Sequence, residues 1–474
     1  MSQPASTQAS AFLNEGIASA LAFIRQWQDY MPEFSADATT QVSDEHFAST
    51  WAKFSEKLAD NYPFFHPLYA GQMLKPPHPA AVIGYLATML INPNNHAMEG
   101  GPATSKMEKE VIAKFARRFG FGDQFLGHLT TSGTLANLEA LWIAREIHPE
   151  KAIAYSAQAH YTHTRATSLL KTQGVVIPAL PTGKMDVQAF KAILKKDKDA
   201  IGTVVATLGS TGLGSLDALD ELVNLKSEYG FRIHVDMAYG GYYHLLKDTE
   251  ANLALYNFVK EVDSLVIDPH KHGLQPYGCG CVLFKDPTLQ RYYHHESPYT
   301  YLTATDDYLH LGEISLECSR SGAAAAALWM TLECFPLEDE TGNSENGMGA
   351  ILKKTLAATR ILKDKIAQSN DYRLYIEPEL NIINFFARAK STSAINRRNR
   401  AIFHAAMDNA DFPLFLALLK VSADDFKKLH SEVDVDSEHV LLLRTCLMKP
   451  EHESWADQIY QILHHHGQII RDEA

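Results

Sequence analysis

Short apolar runs that are typical of buried strands alternate with helix-like segments between residues 125 and 285. The strand-like runs cover residues 152–155, 201–208, 232–236, 264–267 and 277–285. This alternation predicts an α/β fold with a mostly parallel sheet and helices on both of its faces, because parallel strands are joined by crossovers that are usually helical. Ligands of such sheets bind at the carboxyl ends of the strands, so the residues that follow these runs are candidates for a functional site.

Lys271 follows the run at 264–267, and Asp236 ends the run before it. Burial makes an ammonium group costly, so we expect the pKa of Lys271 to be lowered, which would make its amine a good nucleophile toward an aldehyde. An amine and a carboxylate at neighbouring strand ends match the needs of pyridoxal 5′-phosphate (PLP), since the lysine forms a Schiff base and the carboxylate keeps the pyridine nitrogen protonated. Considered alone, Lys271 fits a lysine in a surface turn equally well. His160 and Thr207 also follow strand-like runs, and this agreement favours a shared site.

The sequence Ser132-Gly133-Thr134 precedes a strongly helical segment at 138–147. Free backbone N–H groups and hydroxyls at a helix N-terminus form a ready anion site, and a phosphate would fit there. The same residues fit an ordinary helix N-cap, and this segment alone favours the N-cap.

Charge and composition argue against several classes of function. The chain has 474 residues, a net charge of −13 and no long run of Lys or Arg, which argues against nucleic acid as a partner. It has no apolar run long enough to span a membrane, and its first residues lack an apolar signal core, so we expect a cytoplasmic protein without membrane association. The 5 cysteines do not indicate a disulfide framework, and Cys279-Gly-Cys281 lies in an apolar run that indicates packing, so we expect no metal site.

The length favours two or three structural units. We expect a helical N-terminal segment at 1–75, a large domain at 76–340 and a small C-terminal α/β domain at 350–474. Near-helical spacing of apolar residues in the first 60 residues predicts an arm that packs either on a partner subunit or on its own subunit. A further helix is predicted at 105–118, with Thr104 or Ser105 as its N-cap.

Several segments resemble, in order, the motifs of the group II PLP-dependent amino acid decarboxylases, which include the aromatic amino acid, glutamate and archaeal tyrosine/aspartate decarboxylases. The resemblance covers roughly residues 60–450. The matching segments are Ser132-Gly-Thr134, Gln158-Ala-His160, Ala206-Thr-Leu-Gly-Ser-Thr211, His234-Val-Asp-Met-Ala-Tyr239 and Asp268-Pro-His-Lys271.

The resemblance implies PLP fold type I, a homodimer with active sites at its interface, and loss of the α-carboxylate of an amino acid as CO2. It implies that Lys271 forms the Schiff base, that Asp236 pairs with the pyridine nitrogen and that His160 stacks on the ring. Six further residues would surround the phosphate and the ring: Ser132, Gly133, Thr134, Thr207, Asp268 and His270.

The resemblance also implies that a tyrosine on a mobile loop returns a proton to the α-carbon. Tyr299, Tyr301 and Tyr308 lie in the matching stretch at 287–313, and the sequence does not choose among them. A stretch of this length and composition is typical of a lid or a binding loop.

Two segments depart from the aromatic amino acid decarboxylases. Asn95, His96 and Met98 lie where those enzymes tend to have an aromatic residue, and Ser319-Arg-Ser-Gly322 is closer to the archaeal decarboxylases and sphingosine-phosphate lyase. Arg320 fits a phosphate or an acidic substrate group, and equally an interface salt bridge. The sequence therefore predicts decarboxylation of an aromatic or acidic L-amino acid, with a carbon–carbon (aldehyde) lyase or an aminotransferase as the alternative.

Overall fold

The computed structural model describes residues 5–294, 311–409 and 411–472. Its α-helices are α1 Ala5–Gln28, α2 Asp44–Leu58, α3 Pro79–Met89, α4 Pro102–Arg118, α5 Gly133–Ile147, α6 Thr162–Leu169, α7 Val187–Lys196, α8 Leu219–Tyr229, α9 Gly322–Cys334, α10 Met348–Ala367, α11 Thr392–Met407, α12 Ala423–Leu429 and α13 His452–Asp472. Its strands are β1 Leu126–Thr130, β2 Ala152–Ser156, β3 Gly174–Ile177, β4 Ile201–Thr207, β5 Arg232–Asp236, β6 Ser264–Ile267, β7 Gly280–Phe284, β8 Tyr372–Leu374, β9 Ile382–Ala387, β10 Ala417–Ser422 and β11 His439–Cys446.

Seven strands form one sheet in the order β1-β7-β6-β5-β4-β2-β3. The strands from β6 to β3 are parallel, whereas β7 runs antiparallel between β6 and β1. Strands β2, β4 and β6 are buried along their whole length, as expected for strands that are covered on both faces. The predicted α/β class and the mostly parallel sheet are confirmed.

Three parallel strands deliver polar residues to one edge of this sheet. Thr207 at the end of β4 is the register partner of Asp236 at the end of β5. Asp236 in turn pairs with Val266 of β6, whose chain continues into the turn that carries Lys271. The register therefore brings these three side chains to the same end of the sheet.

A smaller antiparallel sheet, in the order β10-β11-β9-β8, has its own apolar core against α10, α11 and α13. The segment around Ala70 joins this sheet from the opposite end of the chain. The Ala70 N–H donates to the carbonyl of Phe415, and the Ala70 carbonyl accepts from the Cys446 N–H at 2.7 Å. Residues near 70 are thus held next to β11, beside the end of the large sheet.

Helices α1 and α2 are only loosely covered by the rest of the chain. Ala20 and Ile24 are the buried residues of α1 among those whose burial is described, and α2 contains no buried residue. Five apolar positions predicted an amphipathic arm. Ile24 is buried and Ile17 is half-buried, whereas Phe12, Leu21 and Trp27 remain exposed. No helix in the described parts of the chain is long and apolar enough to cross a membrane.

The predicted N-cap of α4 is wrong. The helix begins at Pro102, and Gly101 occupies the cap position. A proline at the first helical position starts the helix without a side-chain cap, because it has no N–H to satisfy. The Thr104 hydroxyl instead donates to the side chain of Asn95 inside the fold.

Candidate active site

A cavity of about 280 Å³ lies at the carboxyl ends of β4, β5 and β6. Nine residues that the sequence singled out line it: Ser132, Gly133, Thr134, His160, Thr207, Asp236, Asp268, His270 and Lys271. Sequence reasoning did not select other lining residues as site residues, among them Asn137, Tyr161 and Tyr277. Tyr299, Tyr301 and Tyr308 lie outside the described residues.

The amine of Lys271 lies 2.9 Å from Oδ2 of Asp268, three residues before it. Burial would lower the pKa of Lys271, but the charge and hydrogen bond of Asp268, together with the charge of Asp236, outweigh burial and raise that pKa above its usual value. The expected lowering of the lysine pKa is therefore wrong. A sequence does not show which way the Asp268 side chain points, and that direction decides whether the pKa of Lys271 is raised or lowered.

Both oxygens of the Asp236 carboxylate accept hydrogen bonds. Nε2 of His163 lies 2.9 Å from Oδ2, and the backbone N–H of Ala238 donates to Oδ1 at 3.1 Å. Burial would raise the pKa of Asp236, but the hydrogen bond and charge of His163, with the charge of Lys271, bring it well below its usual range. Asp236 is thus a buried carboxylate that stays ionised at neutral pH.

His160 lies in the turn before α6, with its ring at the cavity. Its Nδ1 accepts the backbone N–H of Thr162 at 3.3 Å, which limits rotation of the ring. Burial lowers the pKa of His160, Lys271 lowers it further and Asp236 opposes the shift. The imidazole is therefore a neutral, flat group at pH 7, suited to stacking on an aromatic ring.

Thr207 is held through its backbone by Asp217. The buried Asp217 carboxylate accepts the N–H of Thr207 at 2.7 Å and the N–H of Met185 at 2.6 Å. The Thr207 hydroxyl is buried and has no hydrogen-bond partner among the described residues. A buried hydroxyl without a partner at a cavity wall is ready for a ligand that can accept or donate a hydrogen bond.

The turn before α5 contains the helix N-cap that the sequence offered as one of two alternatives. Ser132 is the N-cap of α5, and its Oγ accepts the Leu135 N–H at 3.2 Å. The same helix N-terminus faces the cavity. A Cβ atom on Gly133 would lie 2.5 Å from Oδ2 of Asp268, so only glycine allows this close approach. Glu317 binds the Thr131 N–H and hydroxyl at 2.9 and 2.7 Å and fixes the start of the turn.

Among the residues whose burial is described, two buried arginines lie outside the cavity lining, and sequence reasoning selected only one of them. Arg320 donates to Glu108 at 2.6 Å and to the Leu129 carbonyl at 2.7 Å, so it forms an ion pair within its own chain. Arg444 of β11 donates to the carbonyls of Gly212 and Thr211 at 3.0 and 2.7 Å. No carboxylate of the described residues pairs with Arg444, although Thr211 lines the cavity. The signal in the sequence was an arginine inside the apolar run of β11.

The cavity can hold a small, flat, anionic aldehyde. It offers a lysine amine, an ionised carboxylate, a neutral imidazole, a free threonine hydroxyl and a helix N-terminus. PLP has the groups that match these partners, namely an aldehyde, a pyridine nitrogen, a flat ring and a phosphate. The donor set therefore fits PLP, and fold and site together define the class of PLP-dependent enzymes of fold type I. Among the residues described, no group of three or more His, Cys, Asp or Glu side chains is arranged to hold a metal ion.

Comparison with known proteins identifies the family within this class. Residues 62–388 match the pyridoxal-dependent decarboxylase conserved domain, and the chain belongs to this family. An L-tyrosine decarboxylase of Enterococcus faecium is 25% identical, and the match covers 81% of each chain. A probable L-tyrosine/L-aspartate decarboxylase of Methanothermobacter thermautotrophicus is 30% identical over 66% of this chain and 82% of the relative.

Solved structures show the same fold at low sequence identity. The crystal structure of Oryza sativa TDC with PLP and tryptamine has a TM-score of 0.75 at 16% identity and covers 98% of this chain and 99% of that chain. Catharanthus roseus tryptophan decarboxylase in complex with L-tryptophan gives a TM-score of 0.73 at 16% identity, with the same coverage. The cofactor of this protein is PLP, and its reaction is the decarboxylation of an amino acid.

Proposed function

We propose that this protein decarboxylates an L-amino acid with an aromatic side chain in the cavity between Lys271 and Asp236. The observation that carries the proposal is that the Lys271 amine and the ionised Asp236 carboxylate open onto one cavity of about 280 Å³. Amine and carboxylate can therefore act on the same small molecule.

Bound PLP supplies an electron sink for the pair of electrons that the departing carboxylate leaves behind. Asp236 keeps a proton on the pyridine nitrogen, because a buried ionised carboxylate favours a cation beside it. Asp268 holds the Lys271 amine at the cavity, and the flat ring of His160 covers one face of the cofactor. Ser132, Gly133 and Thr134 hold the phosphate at the N-terminus of α5, with His270 nearby and Thr207 beside the ring.

Arg444 lies just outside the lining and bonds the carbonyl of the lining residue Thr211, and in this proposal it reaches the α-carboxylate of the bound substrate. Arg444 is 5% exposed, and its guanidinium donates to the carbonyls of Gly212 and Thr211 while no carboxylate of the described residues pairs with it. A buried cation without an anion is costly, and a substrate carboxylate would relieve that cost. The donor of the proton to the α-carbon remains one of Tyr299, Tyr301 and Tyr308.

The charges around the cavity favour an aromatic over an acidic side chain. Lys271 is the only Lys or Arg among the described lining residues, and Arg320 is already paired with Glu108. An acidic side chain would need a second cation in addition to the one that binds the α-carboxylate. Tyr161, Tyr239 and Tyr277 offer aromatic surface at the wall instead. One of the two departures noted in the sequence, Arg320, does not argue for an acidic side chain, because Arg320 is paired with Glu108 within its own chain.

Product analysis over the twenty amino acids tests the proposal. The purified protein with added PLP should release CO2 and the matching amine in equal amounts, fastest with tyrosine, tryptophan or phenylalanine. A keto acid without CO2 would instead indicate an aminotransferase, and an aldehyde without CO2 would indicate a carbon–carbon lyase. A preference for aspartate or glutamate would contradict the proposed side-chain class.

We also propose that the chain forms a homodimer through its N-terminal helices. Phe47, Trp51, Phe54 and Leu58 recur every three or four residues on one face of α2, and each is at least half exposed in the single chain. Exposed apolar area of this extent is typical of a surface that another chain covers. A cytoplasmic location is proposed as well, supported by five cysteines that form no disulfide.

A further inference from the structure

His163 lies behind Asp236, outside the cavity lining and with no exposed surface. Its Nε2 bonds Oδ2 of Asp236 at 2.9 Å, while the Ala238 N–H bonds the other oxygen. The two contacts, one to each carboxylate oxygen, fix the plane of the carboxylate. An aspartate with only one of these contacts could rotate about its side-chain bonds.

The surroundings of His163 define its tautomer. Its Nδ1 is buried and has no hydrogen-bond partner among the described residues. A ring with its single proton on Nε2 donates to Asp236 and leaves Nδ1 as an acceptor without a proton. Nε2 is therefore the nitrogen that donates its proton to the ionised Asp236 carboxylate.

The backbone around His163 is fixed as well. The His163 N–H donates to the carbonyl of His160 at 3.0 Å, which holds the two residues in one turn. The Thr167 hydroxyl makes a separate contact within α6, to the His163 carbonyl at 3.0 Å. The turn that presents the His160 ring to the cavity therefore also sets the position of His163. One short segment couples the stacking group to the partner of Asp236.

We propose that His163 is a positioning residue that holds Asp236 ionised and oriented so that the pyridine nitrogen of PLP stays protonated. This inference rests on the proposed role of Asp236. A hydrogen bond to the charged form of an acid favours that form, and removing the donor leaves a buried carboxylate oxygen without a partner. Asp236 would then hold the ring proton less firmly, and the cofactor would bind less tightly.

The experiment compares His163→Phe, His163→Gln and Thr167→Val with the wild-type holoenzyme. Phenylalanine removes the donor, glutamine retains an N–H donor, and Thr167→Val removes a hydrogen bond of the same segment without touching Asp236. Apo proteins are reconstituted with PLP that carries 15N at the pyridine nitrogen, and the 15N NMR shift reports protonation of that nitrogen. The Kd for PLP is measured by titration, and the thermal melting of each apo protein checks its folding.

His163→Phe should move the 15N shift toward that of an unprotonated pyridine and raise the Kd for PLP about 10- to 100-fold, as for the loss of one hydrogen bond to a charged group. His163→Gln should fall between His163→Phe and the wild type, and Thr167→Val should match the wild type. An unchanged shift and Kd in folded His163→Phe protein, or an equal change in Thr167→Val, would overturn the proposal. A wild-type protein that binds no PLP would instead overturn the proposed function.

Discussion

At the scale of single residues, the site depends on side-chain directions that a sequence does not contain. The spacing of strand-like runs identified Lys271, Asp236, His160 and Thr207, because residues that end parallel strands meet at one edge of a sheet. The pKa of Lys271 was predicted with the wrong sign because it depends on the contact with Asp268. His163 was missed because a histidine three residues after His160 gives no sign of its contact with Asp236.

Asp268→Asn should shift the pH dependence of PLP uptake to lower pH. The Asp268 charge raises the pKa of Lys271, so its removal lowers that pKa, and the free amine that attacks the aldehyde then appears at lower pH. Rates of PLP uptake by the apo protein, measured between pH 6 and about 10, locate the midpoint. Asp199→Asn, at an exposed ion pair with Lys151, is the control and should leave the midpoint unchanged. A midpoint in Asp268→Asn at or above that of the wild type would contradict this account of Lys271.

Arg444→Lys should raise KM for the amino acid by about tenfold or more. The expected size is that of one charge-assisted hydrogen bond, because a lysine cannot reproduce the paired hydrogen bonds of a guanidinium. The Kd for PLP should stay within a factor of about two to three of the wild-type value, because Arg444 makes no contact with the cofactor in this proposal. Steady-state kinetics and PLP titration separate the two effects. Arg320→Lys is the matched control, since Arg320 is also buried but pairs with Glu108, and it should lower stability rather than raise KM. An unchanged KM in Arg444→Lys would exclude Arg444 from substrate binding.

At the scale of elements, the alternation of strands and helices predicted the large sheet, but not what holds the strand ends. The carboxylate that fixes the end of β4 comes from Asp217, ten residues further along the chain and just before α8. Helix α4 began earlier than predicted because Pro102 outweighed the capping residues that follow it. Contacts between β11 and the segment near Ala70, which place Arg444, depend on the assembled fold and leave no local pattern.

Asp217→Ala should destabilise the protein and weaken PLP binding together. It leaves the N–H groups of Thr207 and Met185 without their acceptor, at a cost of about 1–3 kcal/mol each, and frees the end of β4 beside the cofactor. Urea unfolding and PLP titration measure the two effects. Asp186→Ala, which also removes an acceptor of two backbone N–H groups at the start of α7, should cost about 1 kcal/mol and leave PLP binding unchanged. Normal PLP affinity in Asp217→Ala would show that β4 needs no such support.

At the scale of the whole molecule, the exposed aromatic side chains of α2 are the feature that a single chain does not explain. Trp51→Glu combined with Phe54→Glu should convert the proposed dimer into monomers, because charges on this face oppose its burial. Sedimentation equilibrium measures the mass. Phe412→Glu, at an exposed phenylalanine in another part of the chain, should leave the dimer intact. A wild-type protein that is monomeric at micromolar concentration, or a double variant that remains dimeric, would contradict this interface.

The central claim is that the amine of Lys271 and the carboxylate of Asp236 hold one PLP molecule. Lys75 is a second lysine that could react with the aldehyde of PLP. Burial and the charge of Lys449 lower its pKa to about 7, although the charge of Glu451 opposes the shift. Reactivity of the free amines alone would favour Lys75, whereas the geometry of the cavity favours Lys271. Borohydride reduction of the holoenzyme, followed by peptide mass spectrometry, identifies the modified lysine. We predict one phosphopyridoxyl group per chain on Lys271, and modification of Lys75 or of no lysine would contradict the account.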